Sequence, residues 1–421
     1  MSDILELINS MQGECSCGRS HYTSVKDIRI GSGLVNSVGQ ILRENGFPEK
    51  ILLVADQNTL KAAHGIEKSL DGFDVQYKIY DELRVAQVKH AEQIEELIKD
   101  GDIGVLSVGT GSVNDICRLA AARQNKMLCI FATAPSMDGF ASYSSPLVHN
   151  GFKMSYPAES PRVIIGDTRI LANAPVELKS AGFGDMVAKY VGLIDWQVSS
   201  LLTNEPYCEK IAHLTKSAVD ELMKMADRVT LNDEHTAGKI FEALLKTGIG
   251  MSFMQNSRPA SGAEHIVSHL IECIELKKGI IPNLHGDDVG VCTLEVLKHY
   301  EKLSHLKSIK AKKECVNWDD VYEYYGDMAE NVKKVNHPEN IVDCVSTERL
   351  MQVWGQITDI IKSLPSYEEC KRAMIKAGCK ITVSDIGKSP ELFYSCMKYS
   401  PYMRKRLTLL RLNNMILTES R

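Results

Sequence analysis

Short apolar runs alternate with amphipathic stretches through the first part of the chain. The runs predict strands at Asp27–Gly31, Ile51–Ala55, Val75–Tyr80, Gly104–Val108, Leu128–Ala132 and Arg162–Ile165. Helical spacing fills the gaps at Val35–Glu44, Thr59–Leu70 and Ala91–Lys99. This order predicts a parallel sheet covered by helices. From Val176 the strand signal fades, and amphipathic segments follow at Lys179–Ser199, Ile211–Arg228, His235–Gln255, Ser261–Glu275, Val289–His305, Trp318–Asn336, Thr347–Ser363, Tyr367–Ala377 and Pro390–Lys398. The expected architecture is an α/β domain over residues 1–170 followed by an all-α domain over 171–421, with the seam in Gly166–Pro175. Small-molecule sites concentrate in the cleft between such domains.

Composition narrows the class of protein. The 421 residues are 44% hydrophobic and 24% charged, enough for a large core. A net charge of −5 gives no electrostatic footprint for nucleic acid, and the cluster Arg404, Lys405, Arg406, Arg411 is expected to be a solvated helix face. The start MSDILELINSMQGE has no basic segment or sustained apolar core, and no run approaches the ~18 apolar residues of a spanning helix, so a cytosolic protein is expected. The twelve cysteines are scattered, several in apolar segments (Cys117, Cys129, Cys292), and are expected to be reduced. Cys15-Ser-Cys17-Gly-Arg-Ser-His21 groups three soft ligands that could hold a metal, but C-x-C-x3-H does not match a standard closed zinc site, and an ordinary N-terminal turn is the competing reading.

Chemistry concentrates first in Ile103–Arg123, a strand, a glycine loop and a helix. Gly109 and Gly111 are suited to unusual backbone angles and to close approach by a diphosphate, with Ser112, Val113, Asn114 and Asp115 opening the helix. Asn114 stands where G-x-G-x-x-G needs its third glycine, and no P-loop lysine follows. A tight turn with glycines for geometry alone is the competing reading. Asp56 closes the second strand, where it can meet a ribose or merely begin a turn. After the fifth strand, Thr133, Ala134, Pro135, Ser136, Asp138 and Ser142 form a polar loop suited to a nicotinamide and its ribose, with Asp138 either toward a substrate hydroxyl or, before Gly139, only part of a turn. Asp185 follows Gly182 and Gly184, and is either a metal ligand or a surface ion pair with Lys189 at i+4. Ser261-Gly-Ala-Glu264 reads as a capping box, after which His265 and His269 share a helix face; His285 precedes another helix. One carboxylate with two or three imidazoles suits a divalent ion of the zinc or nickel kind.

Together, GTGSVND, TAPSMDGFAS, GFGDMVAKY, SRPASGAEHIVSH and NLHGDDVG resemble the sn-glycerol-1-phosphate dehydrogenase family, within the iron-containing alcohol dehydrogenase and dehydroquinate-synthase-like superfamily. The CSCGRSH and PYMRKRLTLLRL segments are similar to its bacterial branch. The resemblance implies an N-terminal nucleotide-binding domain and a helical metal- and substrate-binding domain. It places NAD(P) at Asp56, Gly111–Asp115, Thr133–Ser136 and Ser142, zinc or nickel at Asp185, His265 and His285, and substrate at Asp138 and His269. The implied reaction is reduction of dihydroxyacetone phosphate by NADH or NADPH in a homodimer, with Asp138, His269 or metal-bound water exchanging the proton. Arg258, Lys153 and the helix start at Ser261 are the candidates for the substrate phosphate, with a solvated loop lysine at Lys153 and a packing or ion-pair residue at Arg258 as the competing readings. A glycerol or polyol dehydrogenase, a dehydroquinate-synthase-like lyase and a nucleotide-sensing module with a closed structural metal are the alternatives.

Overall fold

The computed structural model describes residues 3–417. Its longer strands are β1 (Asp27–Gly31), β2 (Lys50–Asp56), β3 (Asp74–Tyr80), β4 (Ile103–Gly109), β5 (Leu128–Ala132), β6 (Ser144–His149), β7 (Phe152–Pro157) and β8 (Val163–Asp167). Six of them form a parallel sheet in the order β1-β8-β5-β4-β2-β3. Its register sets Ala55 beside Val108 and Gly109 beside Ala132. Every residue of β4, β5 and β8 is buried, as expected of strands covered on both faces. Leu53, Leu106, Phe131 and Ile165 point to one face and pack with Val38 and Leu42. Val54, Val105, Ile130 and Ile164 point to the other, where the apolar core continues without a break to Phe241, Ile249 and Trp196 of the helical part.

Past β8 the chain is mostly helical. The helices that build the site are α1 (Gly111–Arg123), ahead of that boundary, and then α2 (Val176–Val187), α3 (Lys189–Thr203), α4 (Glu234–Met254), α5 (Ala263–Lys277) and α6 (His285–Ser304). A two-residue strand pair, Lys310–Ala311 with Ile416–Leu417, is a small departure from an all-α half. No helix of the described residues is long and apolar enough to cross a membrane.

The expected strands lie within two residues of those observed, but several long helical segments are broken. Lys179–Ser199 divides at Ala188 into α2 and α3, and Thr59–Leu70 divides after Ala62, with Gly65 at φ +97° standing at the start of the next helix. The antiparallel β6–β7 hairpin was not expected, although Asn150-Gly151 is a strong two-residue turn signal and both residues take positive φ, 49° and 75°. The basic C-terminal cluster is not a solvated helix face. Arg411 is wholly buried and bonded to Glu314, Pro401 and Asn340, Arg406 bonds to Ser257 and Ser261, and Arg404 is half-buried; Lys405 is exposed.

Candidate active site

One cavity of about 820 Å³ opens at the C-terminal ends of the strands and extends to α5 and α6. Three glycines explain how the helices reach it. A Cβ on Gly182 would lie 1.9 Å from the Pro135 carbonyl oxygen, and one on Gly286 would lie 1.8 Å from that of Ala181. One on Gly184 would meet the Gly286 oxygen at 2.7 Å. With no side chains at these points, α2 presses against both the loop after β5 and the start of α6, which brings Asp138, Asp185 and His285 together.

The donor atoms of Asp185, His265 and His285 all lie within 4.8 Å of one another. His265 Nε2 is 3.5 Å from Asp185 Oδ1, while its Nδ1 is 2.6 Å from Glu264 Oε1, a second contact that fixes the ring. Ring centroids of His265, His269 and His285 are 5.3–5.9 Å apart. His269, Glu272 and His285 form a second group of donors within the same reach. Burial, reinforced by the charge of Lys153, holds His269 and His285 well below the ordinary imidazole range. Both are therefore neutral rings with a lone pair to give. Burial alone would raise the Asp185 pKa, but Lys189 and His265 outweigh it and keep the carboxylate ionised. Burial alone would lower the His265 pKa, but its contacts with Asp185 and Glu264 outweigh it and raise it. One carboxylate and two imidazoles are a donor set that fits a divalent cation.

The Asp185–Lys189 pair also forms, at 2.6 Å, but in the interior. Lys189 is fully buried, and its ammonium lies 2.7 Å from Asp138 Oδ2 as well. The Asp138 backbone N–H donates to Asp185 Oδ2 at 2.9 Å. Burial and the Asp185 charge push the Asp138 carboxyl up. The ion pair and the ligand cluster are therefore two aspects of one arrangement.

At the other end of the cavity, α1 begins at Gly111, and the Thr110 side chain does not cap it. Thr110, Gly111, Ser112, Val113 and Asp115 line the cavity. Thr110 Oγ1 and Ser136 Oγ are hydrogen-bonded to each other. Neither Gly109 nor Gly111 has positive φ, so the expectation of special backbone angles fails. Gly109 is a packing residue whose Cβ would meet Val113 at 3.0 Å. At Gly111 a Cβ would make only ordinary contact, 3.6 Å from Met137, so the fold does not require a glycine and its absent side chain leaves the helix start bare. Burial pushes the Asp115 carboxyl up to about 6, against the pull of Arg118 at 2.6 Å.

Several expected contacts fall elsewhere. Asn114 is fully buried and accepts from Ser107 Oγ, off the cavity. Thr133, Ala134 and Pro135 also lie off it; the Thr133 N–H bonds to the Gly109 carbonyl, and Pro135 serves as the surface on which Gly182 packs. Ser136, Asp138 and Ser142 do line it. Asp56 lines the rim, but its Oδ1 caps the helix Gln57–Ala62 by accepting from Thr59 N at 2.8 Å. Ser261 is not the cap of α5: Gly262 is, Asp195 Oδ2 accepts from Ala263 N, and Glu264 turns back to Gly262 N.

Arg258 needs the largest correction. It is 3% exposed, does not line the cavity, and its guanidinium is committed to Glu205, Ser199 Oγ and the Leu407 carbonyl. Lys153 does line the cavity, carried there by β7, and pairs with Glu272 at 2.8 Å. Arg404 donates to the Lys153 carbonyl at 3.1 Å, and Arg406 to Ser257 and Ser261, which are themselves lining residues. These arginines come from the C-terminal segment read as solvated.

Comparisons with known proteins agree with this arrangement. Residues 29–175 match the family model described as iron-containing alcohol dehydrogenase. The glycerol-1-phosphate dehydrogenase [NAD(P)+] of Geobacillus stearothermophilus is 30% identical, with 100% of both chains covered. The chain belongs to the glycerol-1-phosphate dehydrogenase family. The member from Halalkalibacterium halodurans is 29% identical over 97% of this chain and 98% of its own. Among solved structures, NADH-dependent butanol dehydrogenase A of Thermotoga maritima superposes with a TM-score of 0.62 at 15% identity, covering 97% of this chain and 96% of that one. A probable glycerol dehydrogenase from Sinorhizobium meliloti gives 0.59 at 17% identity, covering 82% and 99%. These structures share the fold: a parallel-sheet part followed by a mostly helical one.

Proposed function

We propose that this family member reduces dihydroxyacetone phosphate to sn-glycerol 1-phosphate with NADH or NADPH, reversibly. The observation that carries the reading is that one cavity joins the bare start of α1, Lys153, and His265 and His285 of the ligand cluster, with the fully buried Asp185 directly behind them. The family relatives carry NAD(P)+ in their names, and the uncapped N–H groups of α1 suit a dinucleotide diphosphate. Asp185, His265 and His285 are the proposed ligands of a zinc or nickel ion, which when bound polarises the substrate carbonyl. The nicotinamide supplies the hydride.

The rest is done by the chain. Asp56, Gly111–Val113, Asp115, Ser136 and Ser142 orient the cofactor, and the adjacent Gly109, Asn114 and Thr133–Pro135 hold their loops in place. Lys189 sets the positions of the two carboxylates. Asp138 and His269 line the cavity beside the ligand cluster, and each can exchange a proton with a substrate oxygen. Lys153 holds the phosphate with Arg404 behind it, which favours a phosphorylated substrate over glycerol. The cluster opens onto the cavity, which favours catalysis over a closed structural metal in a sensing module. The homodimer belongs to the same proposal and rests on the family resemblance, and a cytosolic setting is proposed with it.

Lys153→Ala tests the substrate assignment. Loss of a charge-assisted contact of about 1.5–3 kcal/mol should lower kcat/KM for dihydroxyacetone phosphate on the order of tenfold to a hundredfold. Unphosphorylated dihydroxyacetone should be little affected. Equal losses on both substrates would remove Lys153 from the phosphate site.

A further inference from the structure

The N-terminal Cys-x-Cys-x3-His group lies outside the cavity, and the fold supplies the ligand it lacked. Gly13–Glu14 pairs antiparallel with Ser20–His21, and within that loop the Cys15 N–H bonds to the Arg19 carbonyl and the Gly18 N–H to that of Cys15, each at 3.0 Å. Gly18 makes the turn at φ +80°. The loop brings Cys17 Sγ to 3.4 Å from His21 Nε2. Cys208, at the N-terminus of the helix Glu209–Met223, places its sulfur 3.9 Å from Cys15 Sγ. Among the described residues, the four donor atoms lie within 4.8 Å of one another.

These distances match a tetrahedral metal better than a thiol cluster or a disulfide. With metal–sulfur bonds of ~2.3 Å and a metal–nitrogen bond of ~2.0–2.1 Å, a tetrahedron has sulfur–sulfur edges of about 3.8 Å and sulfur–nitrogen edges of about 3.6 Å. A disulfide would need the sulfurs at ~2.05 Å. We propose that Cys15, Cys17, His21 and Cys208 form a second metal centre, closed and structural, that takes zinc and fastens the N-terminal loop to the helical half. Three thiolates and an imidazole are a standard closed zinc set.

The surroundings agree. His21 and Cys208 are buried, and the His21 ring stacks on Phe253 of α4 at 5.4 Å. Arg19 donates to the Met254 carbonyl at 2.9 Å, so the loop is fitted against α4 as well. Burial, aided by the Lys210 and Arg19 charges, holds His21 below its ordinary pKa and keeps a lone pair available. The backbone N–H of Cys17 faces the Cys15 sulfur and lowers that thiol's pKa, whereas burial outweighs the Ile211 N–H at Cys208 and pushes its thiol up to about 12.

The test uses His285→Ala, which weakens the cavity cluster, with reduced protein purified under zinc. About one zinc per chain should remain, and Cys208→Ser in that background should remove it. Because Cys208 is buried and its variant is at risk of not folding, Cys17→Ser on the more open loop is made in parallel and should also remove it. Cobalt exchanged into His285→Ala should show thiolate-to-cobalt charge-transfer absorption, and neither double variant should. Zinc-free, folded His285→Ala protein with all thiols titratable would overturn the proposal. So would zinc or a cobalt signal unchanged by both cysteine substitutions, or a Cys15–Cys208 disulfide in the native protein. None of these readouts depends on turnover, so they stand or fall apart from the proposed reaction.

Discussion

Replacing Lys189 with Met leaves two buried carboxylates without the ammonium they share. The side chains of Lys189 and Asp185 are 0% exposed and that of Asp138 is 12% exposed, so water cannot take over the role. Removing one partner of a buried ion pair costs ~3–5 kcal/mol. Asp185 keeps the Asp138 N–H at 2.9 Å and the His265 contact, which places the expected loss in metal-free protein near the lower end, about 3 kcal/mol. That is on the order of a hundredfold in the folding equilibrium.

Two signatures separate this cause from simple loss of packing. Without Lys189 one carboxyl takes up a proton with a raised pKa, so the folded state binds more protons than the unfolded state between the two pKa values. Stability of Lys189→Met should then fall as pH rises from about 5 to 8, and its deficit against wild type should widen. A divalent cation at Asp185 restores compensating charge, so metal loading should stabilise the variant more than wild type. Denaturant titrations of metal-free and metal-loaded protein at both pH values measure this. A pH-independent deficit that metal leaves unchanged would refute the electrostatic account, and a deficit near zero would refute the burial argument.

Other substitutions probe the scaffold and the corrected residue. Gly182→Ala sets a methyl against the Pro135 carbonyl, 1.9 Å away before relaxation, and should cost about 1–3 kcal/mol or more while weakening metal binding through Asp185; wild-type thermal stability and metal content would show that α2 does not need that close approach. Arg258→Ala should lower stability by uncovering Glu205 and should reduce kcat/KM for dihydroxyacetone phosphate and dihydroxyacetone by similar factors. A loss confined to the phosphorylated substrate would return Arg258 to the phosphate site.

The sheet was legible because buried parallel strands are short apolar runs: β1 and β5 coincide with the segments expected from the sequence. Asp185, His265 and His285 were legible through the resemblance and the histidine spacing. Their convergence depends on contacts that spacing does not record, namely Gly182 against Pro135 and Gly286 against Ala181. Lys189 was noticed as a helical i+4 partner, but burial decides that it serves two carboxylates. Arg258 was misassigned because a cation near a histidine motif looks the same in sequence whether it faces a cavity or Glu205. Arg404 and Arg406 reach the site from a segment distant in sequence, and Cys208 completes the N-terminal group in the same way. The β6–β7 hairpin, which carries Lys153, has a readable turn at Asn150-Gly151, but its strands lack the continuous apolar runs that mark the buried sheet.

The central claim is tested most directly by the identity of the product. Metal-loaded protein given dihydroxyacetone phosphate with NADH or NADPH should form sn-glycerol 1-phosphate, identified by chiral resolution, and should lose that activity on chelation. Formation of sn-glycerol 3-phosphate, or turnover of glycerol with none of dihydroxyacetone phosphate, would contradict the account.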